Sequence, residues 1–488
     1  MTLEIIGHPY AYEMECVARL FYPGERIDVV THATKNNGVR LTTAMQMEGG
    51  NVTLYAAVRV DGQSSESADS FMAGEDWEWD AQRRLGVLLF DLLCVKTGIR
   101  PPWGILTGVR PVNLCRKMRS RFNLNEEQLA AALTNDYRVL PQKAQLALSV
   151  LRAQQNELAK VTSSCYSLYI NIPFCPTRCL YCSFVSHAID RAAKLLPDYL
   201  RLLGKELTML GEVARSLGLS LRSVYIGGGT PTALSVEQLR GLLSDIERSF
   251  PTRELPEYTV EAGRPDCTTK EKLEVLQSFG VSRISVNPQT MDDELLAAIG
   301  RGHTAAQTLE CMAAARAVGF ESINMDLIAG LPGQTTESFC VGLEQLLALH
   351  PENITVHTLT VKRASSLRAD PGAFEKSTPA EEMLEFAATR LNQAGYTPYY
   401  LYRQQGTPHN LENIGCCLPG KEGLYNIYSM EDAHTILAAG AGGITKLRGR
   451  DGKVARIRNC KYPYEYIARQ ENSLGRKRDE IAKFFQAN

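Results

Sequence analysis

From Ser167 onward, short β-forming runs alternate with helical stretches. The runs are Leu168–Ile172, Ser223–Ile226, Tyr258–Glu261, Arg283–Val286, Ile323–Ile328 and Ile354–Leu359. Parallel strands cannot be joined by a tight turn, and a helix is the compact crossover. This alternation therefore predicts an α/β fold, a parallel sheet wrapped by helices. Ser235 with Gln238, and Thr268 with Glu271, have the spacing of capping boxes at helix starts. Six βα units make a partial (β/α)6 barrel, short of a closed eightfold one. In such folds reactive groups gather where strands end, so each strand end is a place to look.

The first strand runs into SLYINIPFCPTRCLYCSF, with thiols at Cys175, Cys179 and Cys182 in C-x3-C-x2-C spacing. Pro173 stops the strand, and Pro176 argues against a regular helix between the first two thiols. Three thiolates on one loop can hold three corners of a cubane 4Fe–4S cluster, whose usual complement is four cysteines. The fourth iron is then free to take a small molecule. A structural zinc site is an alternative, although no second C-x2-C or Cys/His pair accompanies the loop. Three unrelated core cysteines are another.

The second strand ends in Gly227-Gly228-Gly229-Thr230-Pro231, where absent side chains let a ligand approach the backbone. A tight turn would need glycine too. The third ends at Glu261 and the fourth at Gln289; the fifth carries Asp326. A carboxylate in an apolar strand is costly to bury unpaired, so Glu261 and Asp326 are expected to face a polar cavity. A salt-bridged structural acid is the plain alternative. Arg301 offers a guanidinium suited to bidentate carboxylate binding.

The motifs now on the page resemble the radical S-adenosylmethionine (SAM) superfamily, which has the same C-x3-C-x2-C spacing and an aromatic, here Tyr181, before the last cysteine. The lead-in YINIPFC resembles the branch acting on porphyrins. The whole chain looks most like the oxygen-independent coproporphyrinogen III dehydrogenases, in their HemZ-like subgroup. The specific motifs cover about residues 165 to 446. The resemblance implies a radical SAM barrel, a 4Fe–4S cluster on Cys175, Cys179 and Cys182, and SAM chelated by the unligated iron. SAM contacts carried over by matching position are Tyr169, Tyr181, Gly228, Gly229, Thr230, Glu261, Gln289, Arg301, Asp326 and Thr360. No catalytic acid or base is singled out.

The implied function is oxidative decarboxylation of two propionates of coproporphyrinogen III to vinyls through a 5′-deoxyadenosyl radical. The product is protoporphyrinogen IX, in anaerobic haem (porphyrin) biosynthesis. The partners would be a tetrapyrrole and an electron donor such as flavodoxin or ferredoxin. Lys362 and Arg363 could pair propionates, and Tyr396, Tyr399, Tyr400 and Tyr402 could pack on the macrocycle; ordinary surface bases and core tyrosines are the plainer readings. The chain departs from the dehydrogenases at Phe184, where they have a fourth cysteine, and at Asn171, where they have histidine. Their C-terminal helical domain is not expected here. Two other readings follow: haem methyl transfer with ring opening, and a haem-binding chaperone. For these, His303, His357, His409 and His434 are candidate ligands, each also readable as structural.

Three domains are expected: an N-terminal α/β unit over 1–150, the barrel with a C-terminal strand extension over 160–446, and a basic helical tail over 447–488. Within the first, the QSSESADS run after Asp61-Gly62 reads as a loop. PPWGILTGVRP, with Trp103 and Arg110, reads as a hinge or as a ligand contact. The net charge of −1 gives no general attraction to nucleic acid or anionic lipid. No apolar run approaches the roughly 18 residues of a membrane span, and thirteen cysteines without a leader pattern suggest a cytoplasmic protein with reduced thiols; that it is an oxidoreductase is what the resemblance implies.

Overall fold

The structure, a computed structural model, describes residues 1–32, 38–360, 379–404 and 410–487. Two compact units are present: Met1–Arg152 with Leu401–Asn413, and Ala153–Tyr400 with Ile414–Asn488.

The first unit contains a five-stranded sheet in the order β2-β1-β3-β4-β5. Its strands are β1 (Thr2–Ile6), β2 (Asp28–Val30), β3 (Arg40–Glu48), β4 (Asn51–Val60) and β5 (Gln63–Met72). Alternation puts Leu41, Leu54, Ala56 and Val58 in a core with Val17 of the helix Ala11–Phe21 and Leu85, Leu89 and Phe90 of the helix Trp77–Thr97. The stretch expected as a loop is β5, paired antiparallel with β4. Asp61 (φ 51°) and Gly62 (φ 79°) form the two-residue turn with both residues at positive φ that hairpins favour. The polar composition belongs to an edge strand with no fully buried residue, which also discourages pairing with other chains.

Trp103 is wholly buried, and its Nε1 donates to Glu412 Oε2 at 2.8 Å within this unit. Lys143 Nζ meets Glu412 Oε1 at 2.5 Å. Trp103 is thus a core anchor. Arg110 precedes the helix Pro111–Phe122 and lines a cavity of about 200 Å³ with Trp79 and Ile105.

The second unit contributes β6 (Cys165–Ile172), β7 (Phe174–Cys175), β8 (His187–Ala188), β9 (Ser220–Gly228), β10 (Glu257–Glu261), β11 (Arg283–Ser285), β12 (Ile323–Ala329) and β13 (Asn353–Thr358). It continues with parts of β14 (Thr397–Arg403) and β15 (Glu412–Cys417), of which Leu401–Arg403 and Glu412–Asn413 belong to the first unit, and with β16 (Thr435–Ala439), β17 (Ile444–Arg448) and β18 (Val454–Arg458). The eleven-stranded sheet runs β14-β15-β13-β12-β11-β10-β9-β6-β16-β17-β18. The six strands expected from sequence are its parallel centre, β6 and β9 to β13. The short pair β7 and β8 brackets the cysteine loop.

Ser235 and Gln238 form the expected capping box. Thr268 does not: the N-cap is Thr269, accepting from Lys272 N, and Thr268 turns inward to donate to Thr232 Oγ1 at 2.9 Å. With two adjacent threonines, sequence spacing does not say which one faces the helix. Tyr396, Tyr399 and Tyr400 are buried in the core, and Tyr396 donates to Pro351 O. Lys362, Arg363 and His409 lie outside the described residues.

Residues 447–488 supply the end of β17, then β18 and the helix Pro463–Ala487. That helix is held by one carboxylate. Glu206, 1% exposed on the helix Leu196–Ser216, accepts from Gly440 N (2.8 Å), Asn459 Nδ2 (2.9 Å), Tyr466 Oη (2.6 Å) and Lys477 Nζ (2.8 Å). A buried charge is tolerable only when so satisfied. Lys477→Met should leave it under-paired and cost about 3–5 kcal/mol. Urea unfolding should show this, with faster amide exchange across residues 440–443; unchanged stability would mean Lys477 is not the counter-ion that matters.

Candidate active site at the ends of the parallel strands

The cysteine loop leaves β6 and is held on each side. His187 N donates to Pro173 O at 2.9 Å and Leu180 N to Ile299 O at 3.0 Å. Cys179 is 9% exposed, and Cys175 and Cys182 are half-buried. Burial raises the Cys175 and Cys182 thiols above their ordinary pKa. Donors reach the sulfurs: Thr230 Oγ1 lies 3.5 Å from Cys175 Sγ, and Arg264 Nη1 lies 3.6 Å from Cys179 Sγ. Tyr181 packs on an apolar cluster of Ile299, Ile328, Leu331 and Leu359.

The glycines are a steric requirement. Pairing of β6 with β9 carries Ile172 opposite Gly228, and two bonds extend it: Gly229 N to Ile172 O (2.8 Å) and Thr230 N to Phe174 O (2.7 Å). Gly228 has φ +109°, and a Cβ there would overlap Asn171 Oδ1. A Cβ on Gly229 would lie 2.6 Å from Phe174 O. Backbone therefore approaches backbone with no room between.

Glu261 Oε1 accepts from Tyr225 Oη at 2.7 Å. Burial, chiefly, pushes its carboxyl up to about 7. Burial also works against ionisation of Asp326, but His357, Asn324 and Thr355 outweigh it and hold that carboxyl below its ordinary value. Asn324 Nδ2 lies 2.7 Å from Asp326 Oδ1, and His357 Nε2 lies 3.6 Å from Oδ2. Asp326 has the polar neighbours expected of it, whereas Glu261 has a phenol donor but is governed by burial, so the two carboxyls differ in protonation at neutral pH.

Gln289 is held at φ 73° between two strand-like bonds, its N to Asp326 O and its O from Ile328 N, both 2.9 Å. A non-glycine residue kept in this region is strain that its surroundings must enforce. Arg301 donates to Gly263 O and Asn287 O, both at 3.2 Å, while its buried Nε and Asn287 Oδ1 have no partner among the described residues. Thr360 lies just past β13, its Oγ1 at 3.4 Å from Thr358 O.

Tyr169 sits lower in the barrel. Its ring stacks with Tyr225 (6.2 Å) and Tyr425 (6.0 Å), and its hydroxyl reaches Asn171 Oδ1 at 3.1 Å. Tyr225 and Tyr425 went unnoticed in the sequence. Tyr225 was readable, since it lies two residues before Gly227 on the same strand face. Tyr425 was not, because it arrives on a short helix whose Leu424 N and Tyr425 N donate to the buried Glu257. Arg264 was also missed, although it lies three residues beyond Glu261. His303 and His434 are each 3% exposed, and His434 Nε2 is 2.7 Å from Ser167 Oγ, a structural setting.

Residues 169–344 match the radical SAM superfamily model. The oxygen-independent coproporphyrinogen-III oxidase-like protein HemZ of Bacillus subtilis is 36% identical over 97% of this chain and 96% of its own length. The chain belongs to this radical SAM family. The haem chaperone HemW of Bacillus subtilis is 40% identical over 40% of this chain and 51% of its own. HemW of Haemophilus influenzae is 31% identical over 62% and 75%. The coproporphyrinogen III oxidase HemN structure from Escherichia coli aligns with a TM-score of 0.53 at 22% identity, covering 66% of this chain and 73% of that one, which establishes the shared fold.

The family's cofactors are a 4Fe–4S cluster and SAM. The residues present fit them. Each iron of a cubane takes its own thiolate, so the sulfurs need not converge on one ion, and among the described residues no three ligand side chains do. Hydrogen-bond donors aimed at Cys175 and Cys179 suit thiolates. The unpartnered Arg301 Nε is a donor left for a ligand.

Glu261 gives a measurable signature in the cofactor-free chain. Below its unfolded value of 4.5 it is protonated in both states and its contribution is full. Between there and about 7 only the unfolded chain ionises, so stability falls as pH rises. Glu261→Gln should remove a loss on the order of 3 kcal/mol between pH about 4.5 and 7. Parallel pH–stability curves for both proteins would refute the assignment.

Proposed function

We propose that this radical SAM protein acts on a tetrapyrrole. Its reaction is the anaerobic oxidative decarboxylation of two propionates of coproporphyrinogen III to vinyls, giving protoporphyrinogen IX. The observation that carries the reading is the gathering of three thiols, two of them with donors on their sulfurs, the Gly-Gly-Thr backbone and four polar side chains at one end of the sheet. The near full-length likeness to a coproporphyrinogen-III oxidase-like relative supports the substrate class.

In this reading Cys175, Cys179 and Cys182 each hold one iron. When bound, the cluster and SAM supply a one-electron route to hydrogen abstraction from carbon. The chain's part is to bind and orient. Arg301 meets the carboxylate of SAM, and the main chain at Gly228, Gly229 and Thr230 meets its amino-acid end. Glu261, Gln289 and Asp326 take polar groups of the ribose and nucleoside, Asp326 as an ionised acceptor and Glu261 as a carboxyl near its midpoint. Tyr181 and Thr360 border the ligand, and Tyr169 acts through Asn171. Free thiols at all thirteen cysteines support a reducing, cytoplasmic setting, with flavodoxin or ferredoxin as the electron source.

Haem carriage is the second reading, favoured by the likeness to HemW and by Phe184, 68% exposed where the dehydrogenases have a further cysteine. His357 is then the candidate iron contact, since His303 and His434 are buried. One anaerobic experiment separates the readings: reconstituted protein, SAM and reductant with coproporphyrinogen III or haem. Protoporphyrinogen is expected; tight haem binding without product would overturn the enzyme reading in favour of carriage, and a methylated or opened haem would point to ring-opening chemistry. Serine at Cys175, Cys179 or Cys182 should abolish both iron retention and SAM cleavage.

A further inference from the structure

We propose that Arg264 is a positioning residue that sets the reduction potential of the cluster through Cys179. The inference rests on Cys179 being a cluster ligand.

Arg264 follows β10 and is 2% exposed. Its Nε and Nη2 bind Asp266, at 2.9 Å to Oδ1 and 2.7 Å to Oδ2. That fork would satisfy a purely structural pair. The remaining amino group does something else: Nη1 donates to Thr177 O at 3.2 Å and lies 3.6 Å from Cys179 Sγ. Nη2 also reaches Thr177 Oγ1 at 3.0 Å. One guanidinium thus grips the cysteine loop between its first two thiols and presents an N–H to the second. Gly302 leaves room for the pair, since a Cβ there would sit 3.2 Å from Nη2 and 2.9 Å from Asp266 Oδ2.

A charged donor stabilises a thiolate more than a thiol, and stabilises a cluster more as its negative charge grows. Reduction adds one negative charge to the cluster. The contact therefore favours the reduced state and raises the midpoint potential, which hydrogen bonds to cluster sulfurs are known to tune. Asp266 opposes this by its own charge but fixes the guanidinium in place.

The test is a potentiometric titration of the full-length, anaerobically reconstituted protein, with iron and sulfide counted first. Arg264→Met with Asp266→Asn removes the pair without stranding a carboxylate. This double variant should keep its cluster and show a midpoint lower by about 59 mV, a tenfold change in a one-electron equilibrium. Arg264→Lys, keeping charge but not the fork, should fall between. An unchanged midpoint in the loaded double variant overturns the proposal. If that variant holds no iron, Arg264→Lys decides: a lowered midpoint supports the proposal, and an unchanged one reduces Arg264 to a structural clasp. Wild-type protein that took up no cluster on these thiols would instead refute the ligand assignment.

Discussion

The approach of two backbones, the exit of β6 against the glycine end of β9, is the contact on which the site depends. Strands in a sheet are normally followed by loops that diverge. Here pairing continues past the last ladder residues, because Gly229 and Thr230 bond to Ile172 and Phe174 where side chains would have forced separation. The first cysteine is thereby fixed relative to the main chain of the glycine run. The spacing between the cysteine loop and that backbone is set by main-chain hydrogen bonds between two strand ends, a rigid support for a site.

Around this seam the charges are sorted by their neighbours. Glu261 has a phenol and a low-polarity wall; Asp326 has an imidazole and an amide. The same functional group is therefore near neutrality in one place and ionised in the other at a common pH. Beneath them Tyr169, Tyr225 and Tyr425 form a stacked layer, with Tyr225 and Tyr425 centroids 4.5 Å apart. This layer gives Glu261 its apolar surroundings and a hydroxyl donor at once. Arg264 and Asp266 form a neutral pair beside the cysteine loop, with one guanidinium N–H directed at Cys179 Sγ.

Much of this was legible because parallel sheets announce themselves. Continuous apolar runs, glycine after a strand and acids inside apolar segments are local signals, and they located all six central strands. The polar run of β5 failed the same test, since an edge strand whose inner face is only partly covered carries no apolar alternation. Thr268 and Thr269 could not be told apart, because only tertiary contact decides which threonine turns inward. Tyr425 had no signal at all: it depends on Glu257, far away in sequence, to seat the helix that carries it. Arg264 stood in plain sight, yet an arginine in a loop has no pattern to mark it. Its role emerges only when the loop after β10 is brought against the cysteines.

The order of assembly follows from the edge that β6 shares with β16. The strand feeding the cysteine loop has one neighbour, β9, made soon after it, and another, β16, made more than 260 residues later. Asn171 Nδ2 donates to Ala441 O, and Glu206 awaits Lys477, partners 270 and 271 residues apart in the chain. A nascent polypeptide therefore emerges with its three thiols displayed on an unfinished ledge. Closing the second side of that ledge is a contact of long sequence separation, a late and slow step for a folding chain.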